Sequence, residues 1–323
     1  MTQIKNISKI EKIAVHDGAF NTDDVFAVGA LLYLNPNFQI IRTRNPKILE
    51  GVDMRIDVGM KYNPETGDYD HHQGAGEREN GIPYAAFGLI WKDYGPQICD
   101  FIMEKVNLDK SIFNNNIPDV NSNDVAKTVD ERLVQPIDLY DCNGHPKNLD
   151  KSKPIILLQE MINSSLARWH LDEDYSNNTQ FIENTEFAKK KIKESILRTQ
   201  GEILSSFVCQ DAYEQSKKNG YDKIVVMNIR KMIPTQSLSE TDALYCVQKG
   251  PNGDYSVKSI YKPGTFDSKK LMPVEWAGKK SEELSKITGV NDAVFCFKSF
   301  SASVRSLEGA IKLAELARDA KEN

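Results

Sequence analysis

The chain has 323 residues, of which 40% are hydrophobic and 27% are charged. This composition is ordinary for a globular protein, and the length allows two domains with separate cores. A net charge of −5 and a pI near 5.7 argue against the broad basic surface that long duplex nucleic acid requires. A short or single-stranded nucleic acid bound at a local site fits this charge.

The cysteines and the apolar runs set the expected compartment. The five cysteines are scattered and form no Cys-x-x-Cys pair, which argues against a zinc knuckle and a disulfide framework. No run approaches the roughly 18 apolar residues of a membrane span, and the first residues lack the apolar core of a secretory signal. We expect a cytoplasmic protein without a membrane partner, while mitochondrial and nuclear locations stay open.

The beginning of the chain alternates strands and helices. Residues 12–17, KIAVHD, predict a buried strand, and residues 23–34 predict a helix that Thr22 caps. Further strands are predicted at 38–44 and 52–59. Alternation at this spacing predicts a parallel sheet with crossover helices.

Later segments predict two more helices, and the last part of the chain predicts mainly strands. One is predicted over 84–95 with Gly95 as its C-cap, and another over 122–141. Residues 171–180 are polar and turn-rich, and a long amphipathic helix follows them. The last hundred residues predict strands, a hairpin over 243–261 with a Pro-Asn-Gly turn, and a closing helix.

We therefore predict an α/β protein of two domains with a cleft between them. The N-terminal domain covers 1–175 and carries the parallel sheet, and a linking helix covers 176–215. A smaller α/β domain follows at 216–323.

Histidines and carboxylates collect in four stretches of the first half, which are HDGAFNTDD (16–24), RIDVG (55–59), YDHHQG (69–74) and IDLYDCNGH (137–145). Two of these residues, His16 and Asp57, end predicted strands. Because ligands of parallel α/β sheets bind at the carboxyl ends of strands, one pocket could collect both residues. Mixed histidine and carboxylate ligands suit Mn²⁺, or less selectively Fe²⁺, Co²⁺ or Zn²⁺. More than four candidate ligands suit two ions that share a carboxylate.

Each stretch alone has a simpler interpretation. A His-His pair is typical of a solvated turn, and Asp23 and Asp24 suit the first turn of a helix. Asp57 suits a turn at a strand end, and Asp141 suits the last turn of a helix. Taken together, the stretches favour a metal site.

The order of these motifs resembles the DHH phosphoesterase superfamily. The closest similarity is to the metal-dependent hydrolase family named for a melanocyte proliferating gene, whose members are described as 3′-to-5′ RNA exonucleases. The similarity rests on HDGAF, DVGMKYNPETGDYDHHQ and AAFGLIW, and later on MPVEWAGKKSEELSKITGV, AVFCF and RSLEGAIKLA. It covers nearly the whole chain.

The resemblance implies a set of metal ligands, which are His16, Asn21, Asp23, Asp57, His71 and Asp141. Asp57 would bridge two Mn²⁺ ions, with Mg²⁺, Co²⁺ or Zn²⁺ as alternatives. Asn21 stands where many DHH enzymes have an aspartate, which predicts weaker binding of the first ion.

The resemblance also implies roles around the ions. Asp70 would fix the ring of His71, and His72 would face the substrate phosphate and donate a proton near the leaving group. Asp138 lies three residues before Asp141 and competes with it for the ligand position.

The C-terminal domain departs from the superfamily pattern. Where DHH enzymes present a Gly-Gly-His loop, this chain has residues 302–304, Ala-Ser-Val. Arg305 and the hydroxyls of Ser301, Ser303 and Ser306 remain as phosphate contacts at a helix N-terminus. Arg168 matches an arginine of the family on the first domain.

The implied function is that of a metal-dependent phosphodiesterase. It would cleave short or single-stranded RNA from the 3′ end, with water activated by two metal ions. One alternative is a hydrolase of small phosphoesters such as short oligonucleotides, phosphonucleotides or polyphosphate. Another is a non-catalytic binder on the same scaffold, and a homodimer fits any of these functions.

Overall fold

The computed structural model describes residues 4–113, 116–144, 158–166, 177–229, 231–250 and 252–321. Within these residues the predicted α/β class is confirmed, because helices accompany two five-stranded sheets. No helix in the described ranges is long and apolar enough to cross a membrane.

The chain divides into two compact units, which are Met1–Asn107 with Val120–Gln200, and Leu108–Asp119 with Gly201–Asn323. The domain boundaries predicted from the sequence, and the cleft between the domains, stay predictions.

The sheet of the first unit consists of β1 (Lys12–Val15), β2 (Gln39–Arg42), β3 (Met54–Ile56), β4 (Tyr62–Asn63) and β5 (Asp68–Tyr69). Its helices are α1 (Thr22–Leu31), α2 (Pro46–Leu49), α3 (Ala86–Met103), α4 (Ser122–Val129), α5 (Gln135–Asn143), α6 (Leu158–Asn163) and the first part of α7 (Asn177–Lys218). The strand order is β2-β1-β3-β5-β4, and the β1–β2, β1–β3 and β3–β5 pairs are parallel. The carboxyl ends of β1 and β3 therefore meet at one edge, as the sequence predicts.

Helix α1 is buried along its whole length. Its N-cap is Asn21 rather than the predicted Thr22, because the Asn21 Oδ1 accepts the backbone N–H of Asp24 at 3.1 Å. In return, the Asp24 Oδ1 accepts the backbone N–H of Asn21 at 2.9 Å, which completes a capping box. Helix α7 packs closely against α1 at Gly29, where a Cβ would lie 2.9 Å from the carbonyl oxygen of Thr185.

Helix α3 is longer than predicted. The sequence predicts an end at Gly95, but the helix continues through Pro96 to Met103. The missing side chain of Gly95 makes room for the Trp91 ring, since a Cβ would lie 3.0 Å from it. The glycine therefore marks close packing, and burial of Ile98, Cys99 and Ile102 keeps the chain helical.

The predicted helix over 122–141 is confirmed with one irregularity. A π-helical turn, Asp130–Val134, joins α4 to α5. This wider turn shifts the helix face, so that Val125 and Val129 are buried while Leu133 is only half-buried. The turn-rich prediction is wrong for 177–180, where α7 has begun, and 171–176 lie outside the described residues.

The second unit contains the end of α7, β6 (Ile224–Met227), β7 (Tyr245–Lys249), β8 (Tyr255–Ser259), α8 (Ser281–Thr288), β9 (Ala293–Phe297), β10 (Ser301–Val304) and α9 (Leu307–Asp319). The strand order is β6-β7-β8-β10-β9, with β6–β7 parallel and the other pairs antiparallel. The predicted hairpin and the predicted closing helix are both confirmed. Short 3₁₀ turns lie at Ile7–Lys9, Lys110–Phe113, Gln236–Glu240 and Val274–Trp276.

Candidate metal centre

Asp57 follows the last residue of β3 and has a strained backbone. Its φ angle is +52°, in the left-handed region that residues other than glycine rarely occupy. Such a conformation costs about 1–3 kcal/mol and persists where the surrounding structure enforces it. Here the backbone N–H of Asp57 donates to the carbonyl of Tyr69 at 3.0 Å. The strain fixes the direction of a buried carboxylate at the carboxyl edge of the sheet.

Two histidines approach the two oxygens of this carboxylate. His16 follows β1, and its Nε2 lies 3.4 Å from the Asp57 Oδ2. His71 follows β5, and its Nε2 lies 3.3 Å from the Asp57 Oδ1. The structure thus brings together three residues that the sequence predicted as ligands, with Asp57 between the two rings.

Asp24 is a member of this cluster that the sequence interpretation missed. Its Oδ2 lies 3.1 Å from the Nε2 of His16, and its side chain is completely buried. The sequence suggested only an acid in the first turn of a helix. The Asn21-x-x-Asp24 spacing could have signalled more, because a capping box uses one oxygen and leaves the other for a second partner.

Asp141 and Asn21 complete the other side. The Asp141 Oδ2 lies 3.2 Å from the Nε2 of His71, and its Oδ1 accepts a hydrogen bond from the Asn21 Nδ2 at 2.9 Å. Because the Asn21 Oδ1 caps α1, both polar ends of this side chain are in use. Asn21 reaches the cluster as a hydrogen-bond donor that orients Asp141, and its predicted role as a ligand stays a prediction.

Asp23 is buried against the start of α3. Its two oxygens accept the backbone N–H groups of Ala86 and Phe87 at 3.0 and 2.7 Å, at the start of α3. Burial raises the pKa of Asp23 well above its usual range, and the charges of Asp141 and Asp57 add to the effect. The predicted metal ligation by Asp23 stays a prediction.

Asp70 contacts a different histidine from the one expected. Its Oδ1 lies 2.6 Å from the Nδ1 of His72, and its Oδ2 accepts the backbone N–H of Met60 at 2.7 Å. The Nδ1 of His71, which we expected Asp70 to hold, lies 3.7 Å from the sulfur of Cys142. Asp70 therefore orients His72.

Asp138 is paired away from the histidines. Its Oδ2 lies 2.7 Å from the Nη2 of Arg78, and its Oδ1 accepts the backbone N–H of Gly88 at 3.0 Å. A Cβ on Gly88 would lie 1.8 Å from the Asp138 Oδ2, so only glycine fits there. Of the two competing aspartates, the structure brings Asp141 to the cluster and uses Asp138 to fix α5 against α3.

The histidines and carboxylates of the cluster shift one another's pKa values toward the charged forms. Burial disfavours the protonated form of His16, but the carboxylates of Asp24 and Asp57 beside its Nε2 outweigh burial and raise its pKa to about 10. At His71, burial is likewise outweighed by Asp141 and Asp57, which raise the pKa far above its usual value. Burial would raise the pKa of Asp57, but the two histidines lower it to about 2.

The residues present fit metal ions. Three buried atoms, the Asp24 Oδ2, the Asp57 Oδ1 and the His71 Nε2, have no partner in hydrogen-bond geometry among the described residues. Ligand atoms of Asp57, His71 and His72 lie within 4.8 Å of one another, as do those of His71, Asp141 and Cys142. Imidazole nitrogens and carboxylates together suit Mn²⁺ and similar ions, which would displace the protons of the histidines.

A pocket of about 970 Å³ opens beside the cluster within the first unit. His16, Asp57 and His72 line it, as do Arg44 and Lys61, which pair with Asp17 and Asp68. It offers a substrate both the candidate metal ligands and cationic side chains.

The predicted substrate contacts of the C-terminal part lie in the second unit. Ser301 and Ser303 lie on strand β10 and not at the helix N-terminus, where Ser306 caps α9 by accepting the backbone N–H of Gly309 at 3.0 Å. Arg305 is exposed. Arg168 lies outside the described residues. These predicted contacts stay predictions.

The chain matches a known protein family over most of its length. The MYG1 exonuclease model, described as an uncharacterised protein family (UPF0160), matches residues 12–317. The expected enzyme class, a hydrolase of the exonuclease type, is thereby confirmed. The chain belongs to this family, which confirms the resemblance seen in its motifs.

Individual relatives match this chain over most of their length. The MYG1 protein of Schizosaccharomyces pombe is 25% identical, over 98% of this chain and 100% of the relative. The MYG1 exonuclease of Homo sapiens is 24% identical, over 94% of this chain and 84% of the relative. A solved structure, exonuclease RecJ bound to manganese, is 10% identical with a TM-score of 0.27, over 98% of this chain and 92% of that chain.

Proposed function

We propose that this exonuclease uses two Mn²⁺ ions to remove nucleotides from the 3′ end of short or single-stranded RNA. One observation carries the proposal. The carboxylate of Asp57 turns one oxygen toward His16 and the other toward His71, and a strained backbone holds it there. A carboxylate between two sets of ligands is the arrangement that two-metal phosphoester hydrolases use.

The proposed ligand sets follow from the distances. The first set is His16, Asp24 and Asp57, and the second is Asp57, His71 and Asp141. Asp23 is kept as an additional ligand of the second set, because each of its oxygens retains a lone pair. When bound, the ions would lower the pKa of a water molecule and stabilise the leaving oxygen.

His72 is the proposed proton donor to the leaving oxygen. Asp70 holds its Nδ1, which leaves Nε2 for the substrate. The side chain is 52% exposed and lines the pocket, so a phosphodiester can reach it. An imidazole oriented by a buried carboxylate is suited to general acid catalysis.

The pocket and the charge support a short or single-stranded substrate. A volume of about 970 Å³ is near the upper end for small-molecule sites and holds a few nucleotides. Arg44 and Lys61 in the pocket lining can contact phosphates, while the net charge of −5 disfavours a long duplex.

The test uses single-stranded RNA labelled at the 5′ end and, separately, at the 3′ end. With Mn²⁺, the 5′-labelled RNA should give a ladder of shortening products, whereas the 3′-labelled RNA should release labelled mononucleotide at once. Asp57→Asn should abolish both, and Asp100→Asn, an exposed carboxylate on α3, should abolish neither. Full activity of Asp57→Asn would contradict the proposed site, and the opposite labelling pattern would contradict the polarity.

A hydrolase of small phosphoesters is the second candidate, because the pocket volume also lies within the range of small-molecule sites. The two functions differ in how rate depends on chain length. If kcat/KM is highest for dinucleotides or for 3′-phosphoadenosine phosphate and falls for a ten-nucleotide RNA, the small substrate is the better assignment. No turnover of any substrate, with RNA still bound, would indicate a non-catalytic binder.

A further inference from the structure

One face of the sheet in the second unit has two unlike halves. Where β7 pairs with β8, Cys246 lies opposite Lys258 and Gln248 lies opposite Ser256, so these side chains share a face. The β7 side of this face is buried, and Cys246 packs in a core cluster with Cys209 of α7. On β8, by contrast, Ser256 and Lys258 are only half-buried. The rest of the chain thus covers this face fully at β7 and only in part at β8.

The strand register extends the incompletely covered half to the edge of the sheet. On β10, Ser301 lies between Lys258 of β8 and Phe297 of β9, and Ser303 lies between Ser256 and Phe295. The face therefore shows two cross-strand rows, which are Phe297–Ser301–Lys258 and Phe295–Ser303–Ser256. The alternate residues Val257, Ala302 and Cys296 are buried in the core on the opposite side. We call these two rows the aromatic face.

The rings of this face are accessible and adjacent. Phe297 is 45% exposed and Phe295 is half-buried, and their ring centroids are 6.2 Å apart. Phe300 adds an edge-on contact to Phe297 at 5.4 Å. Large apolar side chains that alternate on a strand usually face a core, so two accessible rings beside hydroxyl groups indicate a ligand surface.

Three lysines lie around the rings. The Nζ of Lys280 lies 5.9 Å from the Phe295 ring and the Nζ of Lys298 lies 5.5 Å from the Phe297 ring, while Lys258 ends one row. Strands β8, β9 and β10 contain no acidic residue, and none occurs between Asp292 and Glu308. In a chain with net charge −5, this local bias favours a polyanion.

We propose that the aromatic face binds single-stranded RNA by stacking bases on Phe295 and Phe297, with phosphates at Lys258, Lys280 and Lys298. Accessible rings on a sheet beside cationic side chains suit unpaired bases, because every base has a π-face to stack. The hydroxyls of Ser301 and Ser303 can then bond base edges or ribose. This inference rests on the proposed function, since it assigns a binding site to the same RNA substrate.

The test is fluorescence anisotropy with labelled single-stranded RNA in EDTA, where hydrolysis does not occur. The Phe295→Ala/Phe297→Ala double variant should weaken the Kd about tenfold or more, because stacking contributes strongly to each bound base. Phe266→Ala is the matched control, since Phe266 is 93% exposed in the same unit but lies on a loop and not on β9, and it should leave the Kd unchanged. Phe295→Tyr/Phe297→Tyr should restore binding, which separates stacking from a folding defect.

Other outcomes decide between the explanations. An unchanged Kd in the alanine double variant would overturn the inference. An unchanged Kd together with a shift from dimer to monomer in light scattering would assign the face to contacts between two copies. Hydrolysis of bis-p-nitrophenyl phosphate in Mn²⁺ reports on the metal centre alone, and it should survive in the double variant. If wild type binds RNA through this face yet hydrolyses nothing, the proposed function fails and the inference stands.

Discussion

The metal centre of the first unit and the aromatic face of the second unit are opposite kinds of site. The centre buries charged atoms at separations of 3.1–3.4 Å and fixes them by backbone strain and a capping box. The face leaves two rings and several hydroxyls half-exposed, with lysines around them. Chemistry on a phosphodiester requires fixed directions, whereas binding of RNA of any sequence requires a tolerant surface. Substitutions at the centre should therefore change kcat and metal affinity, and substitutions on the face should change RNA affinity.

The sharpest test of this division is His72→Gln. Removal of a general acid should lower kcat about 10²–10⁴-fold. Mn²⁺ affinity and RNA affinity should stay near the wild-type values, because His72 is assigned to the leaving group. Steady-state kinetics together with anisotropy check this outcome. A large rise in KM with an unchanged kcat would place His72 in binding instead.

The pH dependence of binding should distinguish the metal centre from the aromatic face. Below pH 10 the metal-free His16 is mostly protonated, because its pKa is raised to about 10, and His71 is protonated as well. Each of the two proposed ions must displace the proton of one histidine, so the affinity for each Mn²⁺ ion should rise with pH by up to about tenfold per unit. Calorimetry in two buffers of different ionisation enthalpy counts the protons. RNA binding in EDTA should show no comparable dependence, and Mn²⁺ binding without proton release would contradict the assignment.

The choice between neighbouring aspartates can be tested by Asp24→Asn and Asp23→Asn. Asp24→Asn keeps the oxygen that accepts the backbone N–H of Asn21 but removes the charge beside His16, and it should weaken Mn²⁺ binding about tenfold or more. Paramagnetic resonance of free Mn²⁺ measures the affinity, with Asp100→Asn as control. If only Asp23→Asn weakens binding, the ligand is Asp23, as the family resemblance implies.

The smallest expected effect concerns the support of the centre. Gly88→Ala should destabilise the fold by about 1–3 kcal/mol, because the new Cβ meets Asp138 and Arg78. Gly201→Ala is the matched control, since Gly201 lies exposed in α7 with nothing within 4 Å of a Cβ, and it should stabilise the helix by about 0.5–1 kcal/mol. Urea unfolding measures both variants. Equal stability of Gly88→Ala and wild type would show that Asp138 does not need this close approach.

The sequence predicted those features that depend on local pattern. The strands before His16 and Asp57, and the parallel pairing that brings them together, follow from apolar runs and spacing. The sequence did not predict the end of α3, because Gly95 makes room for the Trp91 ring and does not terminate the helix.

The remaining errors concern which way a side chain points. Asn21, Asp23 and Asp24 stand within four residues, and only the phase of α1 and its partners decides which one reaches His16. The partner of Asp138 is Arg78, sixty residues earlier, and no spacing rule indicates it. The open half of the second sheet likewise depends on the register of three strands and on the cover over β7.

The central claim is that Asp57 is shared by two metal ions. Diffraction from crystals soaked in Mn²⁺, recorded at the manganese absorption edge, tests it directly. The account predicts two anomalous peaks that both contact the Asp57 carboxylate, one beside His16 and Asp24 and the other beside His71 and Asp141. A single peak away from Asp57, or no peak beside it, would contradict the account.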